Sequence, residues 1–284
     1  MPIPTTNLTG QFNASDNDHI WTTFDSGTPP YHSGVPADGN EVQVWDDEQG
    51  LDLSMLYPSV TSNSPNYRSS TPLMLLPCLD FDGTEDYLQL YPHAGGTAKS
   101  MSDLFAAGGK TAIAAVYIES VTTNNANAWT NEAILADNGG FWGIHLKNTG
   151  GGAYQVVAYN WDGSADTVAL TITLTKSWIV VLRHDGTDLY LDLYDTSGTS
   201  PVTSGSTASG NTTDLTNDFF VGRNISGSAA YYNGRVGEWA TWNVALTGTD
   251  LTDAIAYFRD RWTPSASSGW GPLLGLERHR LVRV

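Results

Sequence analysis

Apolar and polar residues alternate along much of the chain from residue 79 onward. In the run Asp188 to Tyr194, for example, Leu189, Leu191 and Leu193 share one face with a period of two, which is typical of a half-buried β-strand. Similar runs, separated by turn residues, occur at 79–90, 111–120, 132–136, 141–147, 153–160, 167–174, 177–183, 188–194, 218–223 and 235–243. Their spacing predicts an all-β fold of the antiparallel sandwich type.

Two segments depart from simple alternation. The run Trp178 to Leu182 is apolar at every position, which predicts a central strand that is buried on both faces. After Leu246, the residues Leu251, Ile255 and Phe258 lie three to four apart and make one apolar stripe of a helix. The pattern therefore predicts one short closing helix at about 248–260.

Turn and loop signals divide the chain further. Asn233-Gly234 tolerates positive φ and is expected to form a tight hairpin turn before the strand at 235–243. The Ser-, Thr- and Gly-rich residues 201–214 predict a mobile surface loop. Prolines interrupt residues 1–78, which are expected to wrap the sandwich and to add one or two strands to it. We therefore expect a loop-rich N-terminal wrap at 1–78, a sandwich core with its helix at 79–262, and an extended tail at 263–284.

Composition narrows the function. Thirty acidic and thirteen basic side chains give a formal net charge of -17, which excludes a broad face for binding nucleic-acid phosphates. Cys78 is the only cysteine, so it cannot form an intrachain disulfide and is expected to be a buried thiol. The sequence has neither a signal-like N-terminus nor an apolar stretch long enough for a bilayer, so we expect no Sec secretion and no membrane insertion.

Several motifs, in their order along the chain, resemble the laminin-G-like, concanavalin A-like jelly-roll superfamily. Residues 218–262 combine a strand ending in Val-Gly, a strand with Gly-Glu, the segment NVALTGTDL and a short helix. Residues 79–90 resemble an early strand and turn, in which Phe81 would point inward and Asp82-Gly83 would make the bend. Residues 8–16 and 44–50 resemble the N-terminal part of bacterial and phage members of the superfamily. Glu48-Gln49-Gly50 departs from their usual motif, W-x-D-x-S-G. The resemblance implies an antiparallel jelly-roll β-sandwich.

Some enzymes of this superfamily cleave glycans with two facing carboxylates. The glucanases among them carry the string Glu-x-Asp-x-(x)-Glu, and this sequence contains no such string. The sequence therefore predicts a protein that is not an enzyme, with no catalytic residues.

Sugar recognition requires an exposed aromatic ring together with amides or carboxylates for the hydroxyl groups. Polar loops supply this combination at three places in the sequence. The candidate carbohydrate-binding residues are Asn127, Trp129, Trp161, Asp162 and Tyr231. By contrast, Trp178, Trp239 and Trp242 lie within strand-like runs, and we expect them to pack in the core.

The resemblance also implies a possible structural Ca²⁺ at the rim of the sandwich, held by oxygen ligands. By motif position the candidate ligands are Asp46, Asp47, Asp82 and Asp86. Aspartates also form turns, so the sequence predicts no specific ion and no cofactor.

The end of the chain is basic in an otherwise acidic protein. Apolar and basic residues alternate there at Leu276, Arg278, Arg280, Leu281 and Arg283. Two interpretations stay open. The segment is either a weakly ordered exposed end or a docking tail that adds to a partner protein.

Together these patterns predict a non-enzymatic, lectin-like jelly-roll module that serves as a virion surface protein, as a head decoration or a tail appendage. Its expected partners are other virion proteins or further copies of itself, with possible binding of host or environmental glycans and no nucleic-acid binding. In that case it is made in the host cytoplasm and located on the virion. The alternatives are a glycan-active hydrolase or lyase of the same fold, or an adhesion domain of a bacterial surface protein, which would be located at the cell surface or outside the cell.

Overall fold

The structure is a computed structural model, and strands form most of its regular structure. The structure describes residues 2–24, 32–56, 63–70, 74, 76–93, 97–105, 108–125, 130–139, 142–195, 200–210, 215–224 and 230–262. The strands are β1 (Leu8–Asn13), β2 (Ile20–Trp21), β3 (Thr23–Phe24), β4 (His32–Ser33), β5 (Val44–Asp46), β6 (Leu53–Leu56), β7 (Asn66–Arg68), β8 (Cys78–Asp82), β9 (Leu88–Pro92), β10 (Lys110–Ser120), β11 (Ala133–Asp137), β12 (Trp142–Gly150), β13 (Ala153–Trp161), β14 (Ala165–Ile172), β15 (Lys176–His184), β16 (Asp188–Tyr194), β17 (Thr203–Ala208), β18 (Phe219–Val221), β19 (Arg223–Asn224), β20 (Ala230–Tyr231) and β21 (Asn233–Trp242). The α-helices are α1 (Met101–Leu104) and α2 (Gly248–Trp262), and a short 3-10 helix spans Asn17–His19.

Two large antiparallel sheets face each other. The eight-stranded sheet has the order β17-β16-β15-β10-β21-β8-β7, with β1 beside β21. The nine-stranded sheet has the order β14-β13-β12-β11-β18-β9-β6-β5-β2. Two small ribbons, β19-β20 and β3-β4, complete the pairing. This architecture confirms the predicted all-β sandwich with one short C-terminal helix.

Aromatic rings fill the space between the sheets. The Phe12 ring stacks on Trp239 with ring centres 4.4 Å apart, and the Trp45 ring meets Phe12 edge-on at 6.0 Å. The Phe219 ring lies 5.7 Å from Trp239 on the other side. These rings come from both sheets, so they join the two layers through a single apolar core.

Helix α2 covers the outer face of the eight-stranded sheet. Its buried residues Ala254, Ile255, Phe258 and Trp262 pack in one cluster with residues from β10, β15 and β21. Strand β15 is therefore buried on both faces. Trp178, Val180 and Leu182 belong to the core between the sheets, and Ile179 and Val181 belong to the cluster under the helix. This confirms the central strand predicted from its unbroken apolar run, and Trp239 and Trp242 are buried as expected.

Glu238, on β21, anchors the helix through a buried carboxylate. Its Oε1 accepts hydrogen bonds from Gln11 Nε2 at 2.7 Å and from the Tyr257 hydroxyl at 2.8 Å. Its Oε2 accepts one from Trp262 Nε1 at 2.7 Å, and Arg261 Nε lies 3.3 Å away. Burial raises the pKa of Glu238, and these four partners oppose the rise.

The approach of Trp262 to Glu238 requires a glycine at position 237. A Cβ atom at Gly237 would lie 2.2 Å from Trp262 Cζ3, so only glycine lets the indole reach the sheet. The Gly-Glu pair noted in the sequence therefore holds the end of the helix against the sheet. Cys78 is also buried, as predicted, and burial raises the pKa of its thiol to about 12.

Three details of the sequence prediction were wrong. Residues 203–208 form the edge strand β17 within the expected mobile loop, because their backbone pairs with β16. Asn233-Gly234 is no hairpin turn but the start of β21, where a Cβ atom at Gly234 would lie 2.2 Å from the Tyr117 carbonyl oxygen. The first 78 residues supply more than one or two strands, because β1 and β7 join one large sheet and β2, β5 and β6 join the other.

Within the described ranges, no helix has the length and apolar character needed to cross a bilayer.

We expect Gly237→Ala to lower the free energy of unfolding by about 1–3 kcal/mol, because the added methyl group displaces the Trp262 indole. Chemical denaturation followed by tryptophan fluorescence measures this change. Gly108→Ala is the matched control, since a Cβ atom there meets no atom within 4 Å. Equal stability of the two variants would contradict the role assigned to Gly237.

Candidate functional site

Three chain segments meet at one end of the sandwich and enclose a pocket of about 300 Å³. They are the turn after β8, the connection between β10 and β11, and the β19-β20 ribbon. The pocket is lined by Gly83, Thr84, Thr122, Thr123, Asn125, Thr130, Glu132, Ala230 and Tyr231. The lining is polar apart from the tyrosine ring and the alanine, and its one charged side chain is Glu132.

Asparagine side chains join the described parts of the β10-β11 connection, residues 121–125 and 130–132. Asn131 Oδ1 accepts a hydrogen bond from Asn125 N at 2.9 Å, and Asn125 Nδ2 donates to the Thr130 carbonyl oxygen at 2.8 Å. Asn224, from the ribbon, donates to the Asn131 carbonyl oxygen at 3.0 Å. Asparagine commonly bonds to nearby backbone in this way, so these side chains can position the described lining residues of this segment.

Glu132 is the most unusual group of the pocket. Its Oε1 accepts hydrogen bonds from Thr122 N at 2.7 Å, Thr122 Oγ1 at 2.6 Å and Thr123 N at 3.2 Å. Glu132 is only 2% exposed, and its buried Oε2 has no hydrogen-bond partner among the described residues. Burial raises the pKa of Glu132 and outweighs the hydrogen bonds from the two threonines, which lower it. The carboxyl group therefore holds a proton more readily than an exposed glutamate does.

Asp82, in the neighbouring turn, has the opposite character. Its carboxylate is more accessible and accepts hydrogen bonds from Thr84 N at 2.8 Å, from the Thr84 hydroxyl and from Glu85 N at 3.3 Å. Partial burial acts to raise the pKa of Asp82, but these hydrogen bonds outweigh it and the pKa is lowered. Asp82 itself does not line the pocket, but the next two residues of the chain, Gly83 and Thr84, do.

Tyr231 supplies the aromatic wall. It is half-buried and pairs across the ribbon with Arg223, whose guanidinium carbon lies 5.6 Å from the centre of the Tyr231 ring. On its other side the guanidinium lies 4.4 Å from the centre of the Tyr87 ring. The arginine thus lies against both rings.

The structure places the predicted sugar-binding residues in different locations. Tyr231 lines the pocket. Asn127 and Trp129 lie outside the described residues, but other members of their loop, including Thr123 and Asn125, line the pocket.

Trp161 and Asp162 lie at the end of β13 and do not line this pocket. The Trp161 ring packs against Val157 and Tyr159. Asp162 closes a turn, because its carboxylate accepts hydrogen bonds from Ser164 N at 3.1 Å and from Gly210 N at 2.6 Å.

Two of the predicted calcium ligands bind other parts of the chain. The Asp46 carboxylate accepts hydrogen bonds from Ser54 and from Trp21 Nε1. The Asp47 carboxylate accepts three from backbone N–H groups, those of residues 11, 49 and 51, at 2.7 to 2.9 Å. Both carboxylates stabilise the local chain path.

The other two predicted ligands, Asp82 and Asp86, lie in one turn. There Asp86 Oδ2 accepts a hydrogen bond from Asp82 N at 2.9 Å. Among the described residues, the one group of acidic and histidine side chains close enough to share an ion is Asp16, His19 and Glu48, with ligand atoms within 4.8 Å. None of the four predicted ligands belongs to it. The predicted tail residues Leu276, Arg278, Arg280, Leu281 and Arg283 lie outside the described residues.

Sequence reasoning missed Glu132 and Arg223. The sequence pattern places Glu132 at the start of the predicted strand 132–136 and Arg223 at the end of the predicted strand 218–223. A usable signal for the first was present, because a glutamate that directly precedes a fully apolar strand and follows an Asn-rich loop is placed at the end of the sandwich.

Comparison with known proteins shows the fold. No protein-family model matches the chain, and a search of curated proteins gives no similar sequence. Among solved structures, domain 4 of AbnA, a GH43 extracellular arabinanase from Geobacillus stearothermophilus in complex with arabinotriose, matches with a TM-score of 0.52 and 11% identity, over 89% of this chain and 98% of that one. Trypanosoma rangeli sialidase matches with a TM-score of 0.53 and 15% identity, over 91% of this chain. This chain spans only 33% of the sialidase, and at such identities the likeness concerns the fold alone.

These comparisons contradict two predictions made from the sequence, a non-enzymatic virion surface module and a protein that is not an enzyme. The structures that share the fold come from an arabinanase and a sialidase. The missing Glu-x-Asp-x-(x)-Glu string misled the prediction. Tertiary structure can bring residues from separate segments to one pocket, as it does with Thr84 and Glu132.

Asp86 yields a pH-dependent prediction. This residue is only 3% exposed, and burial raises its pKa to about 7, with further contributions from the negative charges of Asp82, Asp80 and Glu41. Its pKa is higher in the folded chain than in the unfolded one, so its neutral form stabilises the fold at about pH 4, and this stability is lost as the pH rises through 7. Asp86→Asn, which carries no such proton, should therefore show a smaller loss of unfolding free energy between pH 4 and pH 8 than the wild type.

Denaturant titrations across that pH range measure the difference. Asp18→Asn removes one carboxyl group at an exposed position and controls for the change in net charge. A wild-type pH dependence in Asp86→Asn would show that Asp86 does not hold its proton in the folded chain.

Proposed function

We propose that the protein is a glycan-active enzyme that hydrolyses glycosidic bonds, and that the pocket between the β8 turn, the β10-β11 connection and the β19-β20 ribbon binds the sugar at the cleaved bond. The observation that carries the proposal is the buried Glu132 carboxyl group in the pocket wall, with one oxygen that has no hydrogen-bond partner among the described residues. A buried group of this kind is costly unless a ligand bonds to it.

The rest of the lining suits a sugar. The threonine hydroxyls and the Asn125 amide can bond to sugar hydroxyls, and the half-buried Tyr231 ring can pack against the apolar face of the sugar. A solved domain with this fold is in complex with arabinotriose, which makes arabinose oligomers the first ligands to examine.

The two carboxyl groups with opposite pKa shifts can divide the chemistry. Glycoside hydrolysis requires one protonated carboxyl group and one ionised carboxylate. In the proposed step, Glu132 donates its proton to the leaving oxygen as the bond between that oxygen and the anomeric carbon breaks. A water oxygen bonds to the anomeric carbon, and Asp82 takes the proton that the water releases. One water molecule is consumed for each bond cleaved.

We expect Glu132→Gln to lower the rate of sugar release by about 100-fold or more, because glutamine cannot supply the proton. The measurement is the formation of new reducing ends from a panel of arabinans, galactans, xylans and glucans. The glutamine amide can still accept the hydrogen bonds from Thr122 and Thr123, so the variant should fold and bind oligosaccharide. Glu119→Gln, at an exposed position, is the matched control and should keep full activity.

Asp82→Asn tests the second group, since its amide oxygen can still cap the turn through Thr84 N. Substantial release of sugar by both variants would contradict the proposed roles. Binding of oligosaccharides by the wild type without any cleavage would contradict hydrolysis itself.

We expect Tyr231→Ala to weaken the binding of oligosaccharide by roughly tenfold, because the sugar loses its aromatic contact. Isothermal titration calorimetry with the Glu132→Gln background, which prevents turnover, measures this loss. Trp161→Ala also removes an aromatic ring from the surface, but one that lies outside the pocket, so its affinity should equal that of the parent. An equal loss in both variants would show that the pocket is not the binding site.

A further inference from the structure

The arginine beside the pocket differs from every other arginine that the structure describes. The others each lie within 4.0 Å of a carboxylate, namely Arg68, Arg183, Arg235, Arg259 and Arg261. Arg223 has no ion pair with any described residue. Its buried Nε has no hydrogen-bond partner among them, a property that it shares with Arg183, Arg235 and Arg261. In a chain with a net charge of -17, an arginine without a carboxylate is unexpected.

Arg223 does not itself line the pocket, but it lies beside a residue that does. Arg223 and Tyr231 are direct neighbours across the β19-β20 ribbon, and Tyr231 lines the pocket. The guanidinium packs against the Tyr87 and Tyr231 rings, which limits its freedom. A guanidinium held in this way is arranged in advance to meet a planar anion with two parallel hydrogen bonds.

We propose that Arg223 binds the carboxylate of an acidic sugar, so that the pocket selects oligosaccharides that contain uronic acids over their neutral counterparts. The inference rests on the proposed function and deepens it, because it names the class of sugar that the same pocket takes. The sugar ring lies against Tyr231, and its carboxylate supplies Arg223 with the anionic partner that the described chain does not.

The negative charge of the protein makes this arrangement selective. Thirty acidic side chains repel an anionic glycan in general, so Arg223 is the group that overcomes the repulsion at this position. Glu132 is compatible with an anionic ligand because, as the proposed acid, it enters the reaction protonated and therefore uncharged.

The experiment compares matched pairs of oligosaccharides in calorimetric titrations at low salt. Each pair shares one backbone and differs in having hydroxymethyl or carboxylate groups, such as galactotriose with trigalacturonate and cellotriose with its C6-oxidised form. The protein is the full chain carrying Glu132→Gln. We expect the carboxylate form of at least one pair to bind about tenfold tighter or more, and the preference to weaken as salt is added.

Arg223→Gln should remove that preference while the affinity for the neutral member stays within about twofold. Arg223→Lys keeps the charge but lacks the planar fork, so it should retain only part of the preference. Arg259→Gln, which removes a positive charge from the surface of α2, controls for the overall change in charge and should keep the full preference. A sulfated oligosaccharide in the same series shows whether a sulfate ester replaces the carboxylate.

The outcomes separate this inference from the proposed function. Equal binding of neutral and acidic members by the parent overturns the role of Arg223 and leaves hydrolysis of glycans standing. A parallel loss of both members in Arg223→Gln also overturns it, because the arginine would then only support Tyr231. Absence of binding to every oligosaccharide argues against the proposed function as well.

Discussion

A buried carboxylate determines how the two large elements of this protein meet. Glu238, on β21, receives hydrogen bonds or an ion pair from Gln11 on β1 and from Tyr257, Arg261 and Trp262 on α2. A charge removed from water is tolerated only where such partners replace the water, so these contacts fix the position of α2 on the sheet. Strand β21 also pairs with β10 on one side and with β8 and β1 on the other, which makes it the reference for the whole eight-stranded sheet.

Strand β21 positions the segments that line the pocket. At its start, β21 pairs with the end of β8, and a Cβ atom at Gly83 would lie 2.7 Å from the Cβ atom of Asn233. The β8 turn therefore lies against β21 and has one position available. The β10-β11 connection reaches the same place because β10 is the other neighbour of β21. Glu132 thus lines the pocket, and Asp82 directly precedes two residues that line it. Their environments differ, since Glu132 is enclosed and Asp82 caps a turn near solvent, and this difference separates their readiness to hold a proton.

Local patterns predicted the elements of the fold better than its connections. Alternation identified Asp188 to Tyr194 without error, and the unbroken apolar run at Trp178 identified a strand covered on both faces. Both signals depend only on neighbours along the chain. Residues 203–208 escaped notice because an edge strand of Thr, Ser and Gly has the composition of a loop, and only pairing with β16 makes it a strand. Gly234 looked like a turn residue for a similar reason, since its need for space arises from a carbonyl group of another strand.

In the candidate site too, some residues can be predicted from the sequence and others only from the tertiary structure. Tyr231 could be proposed from the sequence because an aromatic residue in a polar segment is a candidate for a ring that reaches the surface. The amino-acid sequence also settled the acidic character of the protein, its sandwich fold and its closing helix, all of which follow from composition and from period. Glu132 and Arg223 could not be recognised in that way. A lone glutamate and a lone arginine carry no pattern, and their significance comes from burial, from a missing partner and from the rings beside them. Those properties depend on the tertiary structure and not on the order of residues in the sequence. They arise only when the two sheets and their connections have folded together.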